Sequence, residues 1–178
     1  WKHIVTHLSK FPVGESNGRL SLKNMERGPQ NREVRPSGLN RVAIHGLILP
    51  AGVAGPKTDS AFNKILLGDI GHWKDRMQNA GEWGNTLGNG IETCFPGAVR
   101  VGYDADSIIK YLKQRLAIQS FPNLYIVQSG GGIETLAAVP LTINEMLLQS
   151  YEGIVRVFPN WNHSNDASFN KLRAYGAF

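Results

Sequence analysis

Residues 140–158, PLTINEMLLQSYEGIVRVF, decide the architecture. In the first part of this stretch Ile143, Met146 and Leu147 fall on one face at helical spacing, and Pro140 suits a first turn, where its missing N–H breaks no intrahelical bond. The spacing predicts a helix over 140–150. After Gly153 the period changes to two. Ile154, Arg156 and Phe158 alternate with Val155 and Val157, which reads as a strand. Its expected partner is 169–178, across a loop at 160–168.

Upstream the pattern is helical. Asp104 or Asp106 caps the clearest amphipathic helix, with Ile108, Ile109, Leu112 and Leu116 on one face. The apolar run Ile91–Val101 reads as a buried helix. Asp59 can cap a helix through Ala61, Phe62, Ile65 and Leu66. Trp1, Ile4, Val5 and Leu8 have helical spacing, closed by Phe11-Pro12. Segment 12–40, rich in Gly, Pro, Asn and charge, reads as a loop. RVAIHGLILP at 41–50 is an apolar, extended stretch, 79–90 is glycine-rich and irregular, and Asn123–Val127 is a further short apolar piece. The fold class that follows is mainly α. Helices separated by long loops suit part of an (α/α)6 barrel, followed by the first strands of a C-terminal β domain, with a boundary between 1–152 and 153–178. A whole barrel of twelve helices needs more chain than this.

Composition bounds the function. At 178 residues, 42% hydrophobic and 19% charged, the chain is a globular sequence of about one domain. No apolar run approaches the roughly 18 residues of a membrane span. The chain begins at Trp1 without a signal-peptide pattern, so it is expected to be processed or part of something longer. The excess charge of +5 lies in residues 1–41, with eight basic residues against three acidic ones. These are scattered singly among Gly, Pro and Asn, so a solvated loop is expected and a nucleic-acid partner is not. Cys94 is alone, which excludes an intrachain disulfide and a thiolate metal cluster, and suits a small buried hydrophobe. His3 and His7 have the spacing of helical metal ligands, but Ile4 stands where a zinc-hydrolase glutamate would be. Gly84, Gly88 and Gly90 lack the Lys-Ser/Thr of a phosphate loop. No metal and no cofactor are expected. Asn162-His163-Ser164 is a glycosylation sequon.

Two stretches carry a resemblance. One runs from Trp83 to Asp104 and ends CFPGAVRVGYD. The other is FPNLYIVQSGGGIETLAAVPLTINEMLLQSYEGIVRVFPNW, Phe121 to Trp161, continued by ASFNKLRAYGAF, Ala167 to Phe178. Together they resemble the C-terminal part of the catalytic domain of glycoside hydrolase family 95, the inverting α-L-fucosidases and α-L-galactosidases. The matching elements are Pro122-Asn123-Leu124, the helix from Glu145 to Gly153, Phe158-Pro159, and Leu172 to Phe178. The family's base is an aspartate in an Ile-Asp-Gly-Asn motif. Counting back eleven positions from Glu145 lands on Glu134, preceded by the matching Ile133. Leu136 replaces the motif's asparagine, and Tyr151 stands where the family has histidine. This implies a divergent branch whose sugar need not be fucose.

Inverting hydrolysis needs two carboxyls about 6.5–9.5 Å apart, one protonating the leaving oxygen and one deprotonating water. On spacing alone Glu134 is a loop or helix-cap acid; the resemblance is what makes it the base. Gly130–Gly132 would let the backbone approach a sugar. Substrate contacts are expected from Gly131, Gly132 and Thr135, from His45 in the apolar segment, and from Trp83, whose flat face can stack on a pyranose or pack in a core. Trp73, Trp161 and Tyr103 are weaker stacking candidates. The family's general acid lies upstream of this region, and no acid here matches it. The resemblance therefore implies a glycoside hydrolase segment acting on an oligo- or polysaccharide, completed by another polypeptide or by self-association, in an extracellular or periplasmic setting. The alternative is a non-catalytic carbohydrate-binding or structural assembly protein derived from the same fold.

Overall fold

A computed structural model describes residues 1–7, 10–23, 25–33, 48, 55, 58–79, 94–123 and 133–174, with the backbone alone at some helical positions. The elements in chain order are α1 (Lys2–Thr6), β1 (Val13–Ser16), β2 (Arg19–Leu22), a single 3-10 turn (Pro29–Asn31), α2 (Ser60–Asn79), α3 (Cys94–Arg100), α4 (Ala105–Gln119), α5 (Ile133–Leu147), β3 (Leu148–Gln149) and β4 (Arg156–Val157). Among the described residues the chain is therefore mixed rather than mainly α, five α-helices with two small antiparallel sheets, β1-β2 and β3-β4.

The caps are where the side chains place them. Asp59 Oδ2 accepts from Phe62 N–H at 3.3 Å and opens α2. Asp104 Oδ2 accepts from Ser107 N–H at 2.8 Å and opens α4. Asp106 instead accepts from Asn162 Nδ2 at 2.6 Å, which ties the 160–168 loop to this helix. The α4 stripe packs as its spacing requires, with Ile108 and Leu112 buried and Ile109 and Leu116 against them. In α3, Phe95, Ala98 and Val99 are buried, joined by Val101 just beyond it. Leu66 and Ile70 of α2, Met146 of α5, Leu22 of β2 and Ile48 complete one hydrophobic core.

Three expectations are corrected. Segment 12–40 is not loop throughout, since β1 and β2 form a hairpin pairing Val13 with Leu22 and Ser16 with Arg19. Its two-residue turn is Asn17-Gly18, with φ of 51° and 72°, the left-handed pair that matches strand twist. The last helix begins at Ile133 rather than Pro140 and ends at Leu147 rather than 150. Glu134, Leu136, Ala137 and Ala138 are strong helix formers ahead of Pro140, and Pro140 is exposed within the helix, where water can take the carbonyl it leaves unpaired. Finally, β4 pairs with β3, Leu148 opposite Val157 and Gln149 opposite Arg156, and not with the described part of the expected partner, 169–174. Glu152 and Gly153, at φ 60° and 70°, turn the chain back at once, so the nearest segment in sequence takes the pairing. Residues 167–174 form no strand; Phe169 meets the preceding segment through its ring, 5.5 Å from that of Phe158. The expectations for 41–47, 80–90 and 124–130 lie outside the described residues.

One close approach fixes the hairpin on α2. A Cβ on Gly68 would run into the carbonyl oxygen of Leu20, so only glycine lets β2 lie this near the helix. The neighbouring Asp69 then accepts the Leu22 N–H at 3.1 and 3.2 Å through its two carboxylate oxygens.

Candidate functional site

Glu134 and Thr135 are the second and third residues of α5, in its first turn. Trp83, Gly131, Gly132 and His45 lie outside the described residues. Eleven residues further along α5, about 16 Å at ~1.5 Å per residue, is Glu145. The described polar chemistry gathers around that far end.

Glu145 is 8% exposed and forms a two-point ion pair with Arg100. Arg100 Nε donates to Oε2 at 3.0 Å and Nη2 to Oε1 at 2.8 Å. Nη1 donates to the Ile48 carbonyl at 3.1 Å. Such a planar fork satisfies a buried carboxylate as lysine could not. The guanidinium also lies 4.2 Å from the Tyr151 ring centroid, with that of Arg156 at 5.7 Å. Tyr151 Oη donates to Gln149 Oε1 at 2.8 Å, and Gln149 Nε2 donates to the Glu145 carbonyl at 3.0 Å. Burial, and then the Glu145 charge, push the Tyr151 pKa well up, so the phenol keeps its proton and remains a donor. Arg156 is held by Glu152 at 2.9 Å and by the Tyr151 carbonyl at 3.4 Å.

Beside this cluster is an open cavity of about 560 Å³ between the start of α2, the end of α3 and β4. Its walls include Ser60, Asn63, Val99, Arg156, Val157 and Pro159. Asn63 Nδ2 donates to the Val101 carbonyl at 3.3 Å, while its Oδ1 is buried without a hydrogen-bond partner among the described residues. A buried acceptor left unpaired is uncommon enough to require an explanation.

Asp69 is the other perturbed group. It is 1% exposed, and burial raises its pKa to about 7, against the pull of the Leu22 N–H. The Ser21 hydroxyl lies near enough to lower it further without reaching hydrogen-bond geometry.

Among the described residues no group of three or more His, Cys, Asp or Glu side chains could hold a metal ion. The His3 and His7 rings stack on α1 with centroids 4.1 Å apart. Trp161 packs against the core, its Nε1 donating to the Asn165 carbonyl at 2.9 Å, and Tyr103 packs there too, so both serve packing. Trp73 is described by its backbone alone, within α2. No described helix is long and apolar enough to cross a membrane.

The Arg100–Glu145 pair was missed by pattern reading. A signal existed: Arg100 is a lone cation in the apolar run CFPGAVRVGYD, and a charge buried there requires a partner. Comparison with family models, curated proteins and solved structures finds no match for the chain.

Proposed function

We propose that this chain is a segment of a carbohydrate-active enzyme of the inverting α-L-fucosidase and α-L-galactosidase kind, and that it supplies the general base, Glu134. What supports this most is the position of Glu134 in the first turn of the 15-residue helix α5. Unpaired amide N–H groups and the helix dipole at that end favour an ionised carboxylate, the form a base requires. In this reading α2 to α5 belong to an (α/α)6 barrel and 153–178 open a C-terminal β region. Another polypeptide, or a second copy, completes the barrel and brings the general acid. Gly131, Gly132, Thr135, Trp83 and His45 line a site for an oligo- or polysaccharide outside the cytoplasm, extracellular or periplasmic.

The test is hydrolysis of aryl α-L-fucosides and α-L-galactosides by the protein in its native polypeptide context, beside Glu134→Gln. Glutamine keeps the shape and cannot take the proton. Turnover should fall by about 10²–10⁴-fold with KM little changed. Undiminished turnover rejects the role.

A second reading is a non-catalytic glycan-binding or assembly protein. It is favoured by exposed apolar side chains near the start of the chain, including Trp1, Ile4, Phe11 and Leu20. Glycan binding without turnover, or concentration-dependent association, would select it.

A further inference from the structure

We propose that Asn162 is an acceptor for an N-linked glycan, transferred from a lipid-diphosphate-linked oligosaccharide as the chain enters a secretory compartment. The site rests on the extracellular placement given above and is independent of Glu134.

The sequence holds one Asn-X-Ser/Thr triplet, Asn162-His163-Ser164, with no proline inside it or next to it. Such a triplet serves as an acceptor where a surface loop presents it. The 160–168 loop does so, with 163–166 exposed and Asn162 half-buried. The Asn162 carbonyl accepts the Asn165 N–H at 3.0 Å and closes a reverse turn. Asn160 Nδ2 donates to the Tyr103 carbonyl at 3.1 Å, so the turn stands on an anchored base. Within the turn, Asn162 Oδ1 accepts from the Ser164 N–H at 2.9 Å and from the Ser164 hydroxyl at 2.7 Å. These partners are two residues apart, so the arrangement is open to a chain that has not yet folded elsewhere.

In the transfer Nδ2 forms a bond to the anomeric carbon of the donor's first sugar, and the bond from that carbon to the diphosphate oxygen breaks. The lipid diphosphate leaves with the electron pair, Nδ2 gives one proton to a base of the transferase, and nothing is oxidised or reduced. An amide nitrogen is a weak nucleophile because its lone pair is shared with Oδ1. The two Ser164 donors stabilise the charge that builds on Oδ1 as the proton leaves. The fold also tolerates the product. Nδ2 carries two hydrogens. Asp106 Oδ2, on the exposed face of α4, accepts one of them at 2.6 Å, and the sugar replaces the other. The bond that ties this loop to α4 therefore survives the modification.

The experiment is expression of the chain in cultured animal cells behind an added secretion signal, with mass mapping before and after peptide:N-glycosidase. Asn162 should carry an enzyme-sensitive glycan. Asn162→Gln and Ser164→Ala should lose it, and Ser164→Thr, which keeps the hydroxyl, should retain it. Retained and secreted chain are both mapped, so a variant that folds poorly is still read. The signal imposes entry, so a negative result speaks against the acceptor and not against the extracellular placement or Glu134. The glycosylated chain should unfold at a temperature no lower than the same chain made without glycan in a bacterial cytosol. An unmodified Asn162, a glycan that persists in Ser164→Ala, or a lower unfolding temperature for the glycosylated chain overturns the proposal.

Discussion

Raising the pH should destabilise this fold through one carboxyl group. Asp69 is 1% exposed, and its folded pKa of about 7 compares with 3.8 for the free side chain. Below about pH 4 the group is protonated in both states and contributes nothing to the pH dependence. Between about 4 and 7 the folded protein holds a proton that the unfolded chain has released, so stability falls as pH rises. Above 7 the penalty of a buried charge is complete. A shift of about 3 units at ~1.4 kcal/mol each sets a ceiling of about 4 kcal/mol. Asp69→Asn keeps an oxygen for the Leu22 N–H, at 3.1 Å in the parent, and never ionises. Urea unfolding at pH 4.5 and pH 8 should therefore show the parent losing up to about 3 kcal/mol relative to Asp69→Asn, since the first part of the loss is complete by pH 4.5, the subtraction cancelling every other titration. Parallel pH profiles for the two proteins would refute the reasoning, because they would mean that the carboxyl is not desolvated.

Other outcomes follow from the packing. Glu145→Gln leaves the Arg100 guanidinium buried without its counter-charge, and should cost about 3–5 kcal/mol in urea unfolding. Glu152→Gln, on the more exposed pair with Arg156, should cost less than about 1 kcal/mol in the same assay. Gly68→Ala drives a methyl group against the Leu20 carbonyl, a backbone atom that cannot swing away, and should lower stability by about 1–3 kcal/mol in thermal unfolding.

What local chemistry determines was legible, and what long-range pairing determines was not. Asp59 and Asp104 announce their helices because a carboxylate can reach the first free amides within three residues. The stripe Ile108, Ile109, Leu112, Leu116 announces a buried face for the same local reason. The β1-β2 hairpin was hidden by composition: Glu15, Arg19 and their neighbours read as solvated loop, although Asn17-Gly18 is a hairpin turn signal. Pro140 misled because a proline inside a helix is tolerated only where the exposed side can absorb the lost bond, and sequence does not show exposure. Arg100 and Glu145 lie 45 residues apart, and no periodicity links them. Glu134 differs from all of these. Only the family resemblance singles it out, and α5 then sets its backbone in a first turn.

The central claim is that Glu134 deprotonates the attacking water. The most direct measurement is proton NMR of the first sugar released from an α-L-fucoside or α-L-galactoside, run beside Glu134→Gln. The account predicts the β anomer as first product, and loss of that product in the variant. An α anomer as first product, or the same β anomer formed at the parent's rate by Glu134→Gln, would contradict it.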